Sequence, residues 1–325
     1  AFQWGLDDEG SSANPGSITY RGEQPFSEPE IRAIRDFIEE RDFNLALNYH
    51  AFGNFLLVPW GFDGSNNPDS LAFANYGQLL GSKSGYEVGT TQQTLGYLAN
   101  GIAVDWMYAV HDIIAVTPEI GDENDGFWPA RTDIISLCNE ALFKNLSLAH
   151  INHAYALATE INKDFLTSTS GSLEIDVKRY GISNSSLALT VTSLSPELNI
   201  LGTLEEVSLD VFDEQVFVYD YVLEDFAQLG EEYSFVIKLD NGFFETRDTI
   251  SKIYGNRETV LTADGSNRDD WDATGKDTWD VTDEFSKSGE TSLTDSPYSF
   301  YSSDAINRMT LAEPIDLTEA FSAKL

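Results

Sequence analysis

The chain has 325 residues and carries 54 acidic against 19 basic side chains, a formal net charge of −35. Such a surface repels phosphate backbones and anionic membranes, which excludes a nucleic-acid binder. No apolar run reaches the roughly 18 residues of a membrane span, so we expect no membrane insertion. The single cysteine, Cys138, excludes an intramolecular disulfide framework. Hydrophobic residues make up 42% of the chain, which is enough for a buried core.

The N-terminal half mixes helical and strand patterns. Ser27 and Glu30, with a proline between them, predict a capping box and a helix over about 27–41. Residues 43–50 alternate between apolar and polar with period two, and residues 55–58 form a short apolar run. These two segments predict neighbouring strands.

Further along, three more helices are predicted, over about 67–80, 92–100 and 132–159. A buried strand is predicted at 113–116 between the second and third of them. Helices interleaved with short strands are typical of an α/β fold, which we expect for residues 1–165.

Beyond this region the helical patterns almost disappear. Alternating segments such as LEIDVKRY, LALTVTSL and QVFVYDYVL recur at roughly ten-residue spacing, separated by Asn, Ser, Gly and Asp. This rhythm predicts a β-sandwich over residues 166–262. Residues 263–325 read as an acidic linker followed by the start of a jelly-roll-like β domain.

The acidic residues of this last part offer oxygen ligands for calcium. They follow no fixed calcium-loop spacing, so solvated acidic loops are favoured over a calcium site. The candidate ligands are Asp270, Asp272, Asp280, Asp283 and Asp295.

The chain has four histidines, which limits the number of imidazole sites. No HExxH, HxxE, GxSxG or phosphate-loop pattern occurs, which weakens serine-hydrolase and nucleotide-binding interpretations. His150 and His153 stand at i and i+3 without a carboxylate at matching spacing, so packed or surface histidines are favoured over a metal site. His50 differs because it ends an alternating strand, where α/β enzymes place active groups.

Four stretches, in order over the first 150 or so residues, resemble the zinc metallocarboxypeptidases of the carboxypeptidase A and carboxypeptidase T type. They are YRGEQPFSEPEIRAI, NYHAFGNFLLVPWG, GYLANGIAVDWMY and VTPEIGDENDGFWP. The resemblance implies a three-layer α/β/α domain and zinc-dependent hydrolysis of C-terminal residues of peptides and proteins.

The same resemblance implies roles for individual residues. His50 corresponds to the third zinc ligand, and Glu119 to the catalytic glutamate that takes a proton from the zinc-bound water. Tyr97 corresponds to the mobile tyrosine that approaches the substrate's terminal carboxylate and scissile amide. Val104 falls near the pocket for the C-terminal side chain, where an apolar residue argues against selection of Lys or Arg.

The departures from the family pattern affect the expected activity. In the family, an HxxE segment supplies the first two zinc ligands, and arginines with an Asn-Arg pair hold the substrate carboxylate; all of these lie ahead of Ala1. The resemblance therefore implies an α/β domain that is incomplete at its N-terminus and supplies one zinc ligand. We expect the chain alone to be inactive, with the missing N-terminal part as a partner besides peptide or protein substrates.

Residues 166–262 resemble the β-sandwich that follows the catalytic unit in large secreted bacterial carboxypeptidases, which implies an extracellular bacterial enzyme. A second interpretation is a non-catalytic secreted binding or adhesion protein that retains the peptidase scaffold. The sequence ahead of Ala1 discriminates between them, since an HxxE pair and an arginine cluster favour the enzyme. A calcium-dependent carbohydrate-binding module in residues 170–325 is compatible with either.

Overall fold

A computed structural model describes residues 2–162, 164–202, 204–262, 265–286, 289–318 and 320. The chain divides into two compact units. The first comprises Ala1–Lys163, Thr169–Phe226 and Tyr233–Ser251, and the second comprises Asp164–Ser168, Ala227–Glu232 and Lys252–Leu325. The three domains expected from the sequence remain a prediction.

The first part of the chain contains five helices and five strands within its described residues. In chain order they are α1 (Pro29–Glu39), β1 (Leu45–Leu47), β2 (Phe55–Leu57), α2 (Ser70–Gly81), β3 (Glu87–Gly89), α3 (Thr91–Thr94), α4 (Ala103–His111), β4 (Ile114–Glu119), α5 (Ile134–Ile151) and β5 (Ala156–Glu160). None of the helices in the described ranges is long and apolar enough to cross a membrane.

Four of these strands form a mixed sheet in the order β1-β4-β2-β3. β4 runs parallel to β1 and antiparallel to β2, which in turn runs parallel to β3. The central strand β4 is buried along almost its whole length. One core cluster joins the sheet to α2 and α4 through Leu56, Phe73, Leu80, Tyr108 and Val116.

The rest of the described chain is built from strands. They are β6 (Phe165–Leu166), β7 (Ser170–Arg179), β8 (Leu187–Ser193), β9 (Leu198–Leu201), β10 (Glu205–Val207), β11 (Glu214–Leu223), β12 (Glu232–Asp240), β13 (Glu245–Tyr254), β14 (Trp271–Thr274), β15 (Asp280–Thr282), β16 (Ser292–Thr294) and β17 (Arg308–Leu311).

The first unit contains two further sheets, with strand orders β5-β7-β11-β9 and β10-β8-β12-β13. Burial alternates along their strands with period two: Leu173, Ile175 and Val177 are buried on β7, and Phe235 and Ile237 on β12. In the second unit β6 pairs with the last residues of β13, β14 pairs with β17, and β15 with β16.

The predicted capping box at Ser27 is wrong. α1 begins at Pro29, and its N-cap is Glu28 without a side-chain cap hydrogen bond. Ser27 stands one residue too early, and its hydroxyl donates to the Glu28 carboxylate instead, at 2.8 Å. A true capping box starts α3, where the Thr90 hydroxyl and the Gln93 side chain each accept from the other residue's backbone N–H.

Two predicted helices also end earlier than the pattern suggested. The helix expected to reach Thr159 ends at Ile151, because the residues from Ala156 pair as β5 with β7. The helix expected over 92–100 is the short α3, which ends at Thr94 and is followed by Gly96 with φ of +77°. The helix α4, which carries the whole VDWMY stretch, is an element that the sequence patterns do not predict.

Candidate active site

His50 and Glu119 come together because β1 and β4 are parallel. The pairing continues past the end of β1: the backbone N–H of His50 donates to the Pro118 carbonyl at 2.9 Å, and that of Ile120 to the His50 carbonyl at 3.0 Å. An isolated parallel bridge joins His50 to Glu119. The carboxyl ends of parallel strands meet at one edge of a sheet, which is where α/β proteins place their sites.

The two side chains differ in exposure. His50 is 55% exposed at its side chain and Glu119 only 8%, with Nδ1 of the imidazole 4.0 Å from Oε1 of the carboxylate. This distance is longer than a hydrogen bond. Burial raises the pKa of Glu119 to about 7. A carboxyl group with such a pKa can take up and release a proton near neutral pH.

Tyr97 lies in the connection between α3 and α4 and faces the same cavity as His50 and Glu119. Its side chain is 54% exposed. Partial burial of the phenol raises the pKa of Tyr97, and the negative charge of Glu119 raises it further.

The cavity that these three residues share has a volume of about 510 Å³, within the range of small-molecule sites. Its wall is largely apolar, with Ile31 and Ile34 from α1 and Trp106 from α4. Arg21 and Arg35 also line it. Both guanidinium groups already pair with carboxylates, Arg21 with Asp8 at 2.9 Å and Arg35 with Asp36.

Val104 does not join this group. Its side chain is 1% exposed and packs in a core cluster with Ile38 and Ile113. Its neighbours Ile102 and Trp106 line the cavity, whereas Val104 is not among the lining residues described. The assignment of Val104 to a pocket for the substrate side chain stays a prediction.

Asp105 is a buried acid that the sequence reading missed. It is fully buried in α4 and accepts hydrogen bonds from the backbone N–H groups of Gly61, at 3.1 Å, and Phe62, at 3.3 Å. Burial raises the pKa of Asp105 to about 7, although the two backbone donors oppose the rise. An acid inside the otherwise apolar stretch AVDWMY was the available signal for a special role.

The residues present fit one position of a catalytic zinc site. Such a site takes about three protein ligands and keeps an open position for water. Nδ1 of His50 faces Glu119 across the cavity and can serve as one nitrogen ligand. In the described ranges, no group of three or more His, Cys, Asp or Glu side chains could hold a metal ion.

Several other candidate metal ligands engage in packing or hydrogen bonds. His150 stacks on Phe244 with ring centroids 4.3 Å apart, and His153 lies beside Phe243 at 5.4 Å. Among the acids suggested for calcium, Asp295 accepts from Asn307 and Asp283 from the Tyr298 hydroxyl. Calcium binding remains a prediction.

Comparison with known proteins finds similarity in the first part of the chain. Residues 1–144 match the family model described as zinc carboxypeptidase. Carboxypeptidase A4 of Mus musculus is 35% identical over 140 residues, which is 41% of this chain and 33% of that protein. Carboxypeptidase O of Bos taurus is 34% identical over 148 residues, 43% of this chain and 39% of that protein.

Among solved structures, a crystal structure of thrombin activatable fibrinolysis inhibitor is 27% identical and covers 43% of this chain and 39% of that chain, with a TM-score of 0.38. The match of residues 1–144 to this family model confirms the resemblance of the N-terminal part to the zinc carboxypeptidases. This part has a carboxypeptidase-like fold. The chain spans about a third of the length of the curated relatives it matches.

Proposed function

We propose that this chain forms part of the active site of a zinc metallocarboxypeptidase that removes C-terminal residues from peptides and proteins. The observation that carries the proposal is the convergence of His50, Tyr97 and Glu119 on one largely apolar cavity. The match of residues 1–144 to the zinc carboxypeptidase family model supports it.

Each of the three residues has a role that its surroundings support. His50 would hold zinc through a ring nitrogen; bound zinc lowers the pKa of its water and polarises the scissile carbonyl. Glu119, with a pKa of about 7, accepts the proton of the attacking water and delivers it to the leaving amine. Tyr97 places a phenol O–H at the exposed side of the cavity, where it can donate to the substrate's terminal carboxylate.

One imidazole does not hold catalytic zinc tightly, because affinity comes from several ligands fixed together. We therefore propose that the other ligands and the arginines for the substrate carboxylate are supplied by protein outside these 325 residues. The short coverage of the relatives, about a third of their length, supports this view.

The strand-rich part is proposed to be a β-sandwich of an extracellular protein. The buried side chains of β7 and those of β12 alternate as the facing sides of two packed sheets do. The Tyr219 hydroxyl on β11 donates to the Leu189 carbonyl on β8 at 3.5 Å, from one sheet to the other. We also propose domain limits at 165 and 262, a calcium site in the C-terminal part, and a bacterial, secreted origin.

The test compares the protein purified from its native source with the 325-residue chain. We expect the native protein to contain stoichiometric zinc by mass spectrometry and to hydrolyse an N-blocked dipeptide with an apolar C-terminal residue. The 325-residue chain alone should show neither. Glu119→Gln in the native protein should lower kcat by at least about 100-fold while zinc is retained. His50→Gln should lose zinc, whereas the control His153→Gln should keep both properties.

Two outcomes contradict the proposal. Stoichiometric zinc and hydrolysis by the 325-residue chain would show that this chain holds all the ligands itself. A native protein with neither zinc nor hydrolysis would favour the second candidate, a non-catalytic binding or adhesion protein on a peptidase scaffold. The single imidazole that faces the cavity in the described ranges is the observation that keeps this candidate open.

A further inference from the structure

Asn48 and His50 stand on the same side of one extended segment, because side chains two residues apart on a strand point the same way. Both residues are fixed by the sheet. The backbone N–H of Asn48 donates to the Val116 carbonyl at 3.0 Å, and that of His50 to the Pro118 carbonyl at 2.9 Å. Both side chains line the cavity.

The two ring nitrogens of His50 have different neighbours. Nε2 lies 3.2 Å from Nδ2 of the Asn48 amide, within hydrogen-bond distance. Nδ1 points to the other side and lies 4.0 Å from Oε1 of Glu119. The Asn48 amide therefore pairs with Nε2, whereas Nδ1 faces the cavity.

This pairing couples the position of the ring proton to the orientation of the Asn48 amide. A neutral imidazole has one N–H donor and one acceptor nitrogen. When Nδ2 of Asn48 donates to Nε2, the ring proton sits on Nδ1 and faces the Glu119 carboxylate. When the amide turns by half a rotation, its oxygen accepts from Nε2–H, and Nδ1 offers a lone pair to the cavity.

We infer that Asn48 is a positioning residue that sets the tautomer of His50. It holds Nε2 in both states, aims Nδ1 at the cavity, and by turning its amide changes Nδ1 from a donor to a ligand. A carboxylate at this position would only accept a hydrogen bond, and an apolar side chain would do neither. The metal-binding half of this inference rests on the proposed function, whereas the tautomer does not.

The experiment uses the metal-free 325-residue chain with ¹⁵N-labelled histidine. Long-range ¹H–¹⁵N spectra at about pH 9, where histidine side chains are in general neutral, report which ring nitrogen is protonated. The His50 signals are assigned with His50→Gln. We expect mainly the Nδ1–H form in the wild type, and a shift of the population to the Nε2–H form in Asn48→Ala. The isosteric Asn48→Asp should give the Nε2–H form almost completely.

Zinc chloride is then titrated while the His50 signals are followed. Loss of an outer partner of a metal-bound histidine typically weakens affinity by about 10–100-fold, so Asn48→Ala should weaken the response of His50 by this factor, and Asn48→Asp should retain it. The control is Asn44→Ala, which removes a surface amide that pairs with Asn152. It should leave the tautomer and the zinc response unchanged.

Identical His50 tautomers in the wild type and Asn48→Ala would overturn the inference, whatever zinc does. A tautomer that responds as expected, together with a native protein that holds no zinc, would refute the proposed function and leave the role of Asn48 in orienting the ring. An equal zinc response in Asn48→Ala and the wild type would limit Asn48 to the metal-free state and overturn its part in metal binding.

Discussion

The α/β part and the strand-rich part of the first unit bury their apolar side chains in different ways. On β7 and β12 nearly every inward residue is buried, and Phe235 has no exposed surface. The helices of the α/β part instead leave large apolar residues in contact with solvent. These are Ile31, Ile34 and Phe37 on α1 and Ile134, Ile135, Leu142 and Leu146 on α5, each between 44% and 69% exposed.

Substitutions at these two kinds of position should therefore affect different properties, the free energy of unfolding or binding at the candidate site. The alternating buried residues of the strands form a core. Substitutions of these residues should therefore mainly lower the free energy of unfolding. The α/β part carries the candidate site, and two of its exposed apolar residues, Ile31 and Ile34, form a wall of the cavity. Substitutions of these two exposed residues should change stability less and binding more.

The largest expected effect is in the strand core. Phe235→Ala removes a fully buried ring and should lower the free energy of unfolding by about 3–5 kcal/mol, measured by urea denaturation. Two controls sharpen the contrast: Val218→Ala on β11, 62% exposed, and Ile34→Ala on α1, 53% exposed. Each should cost less than about 1 kcal/mol. A loss at Ile34 equal to that at Phe235 would break the comparison.

A smaller effect is expected from the buried acid of the α/β part. Burial raises the pKa of Asp105 to about 7, so the folded state binds its proton more tightly than the unfolded state does. The stabilisation from this tighter proton binding is fully present below about pH 4, the ordinary aspartate pKa. It is lost as the pH rises through about 7. Asp105→Asn lacks this dependence.

The stability of Asp105→Asn relative to the wild type should therefore rise by about 1–3 kcal/mol between pH 5 and pH 8, measured by denaturant unfolding at each pH. The amide also changes the hydrogen bonds to Gly61 and Phe62, but this effect is the same at both pH values. It therefore cancels when the two differences in unfolding free energy are subtracted. The exposed Asp248→Asn on β13 is the control and should show no such change. A flat difference for Asp105→Asn would contradict a raised pKa.

The smallest of these effects concerns helix capping. Thr90→Ala removes the capping hydroxyl of α3 and should cost about 1 kcal/mol of unfolding free energy. Ser27→Ala is the matched control, because the Ser27 hydroxyl caps no backbone N–H of α1. It should be nearly neutral. A cost at Ser27 as large as that at Thr90 would restore the capping box expected from the sequence.

The strand rhythm after residue 170 was predictable because alternation is a local property with period two. The end of α5 was not, because β5 becomes a strand only through its pairing with β7, far along the chain. The start of α1 was misplaced by two residues, since a Ser-x-x-Glu spacing does not fix which residue becomes the N-cap.

In the candidate site, too, some features were predictable from the sequence and others depend on distant contacts. Family resemblance selected His50, Tyr97 and Glu119, but their meeting depends on parallel pairing of β1 with β4, segments about 70 residues apart that no local pattern connects. Asn48 was accessible from the sequence, because period two places it on the same side as His50. The burial of Val104 depends on how α4 packs, which its apolar character alone does not determine.

The parallel bridge between His50 and Glu119 also sets which insertions and deletions the chain can accept. Adding or removing one residue inside Ile114–Glu119 would turn the following side chains to the opposite face of the sheet and carry the carboxylate out of the cavity. The turn at residues 122–126, exposed at 122–124, lies beyond the bridge and can absorb changes of length. A library of length variants should therefore retain the site when the turn varies and lose it when β4 does.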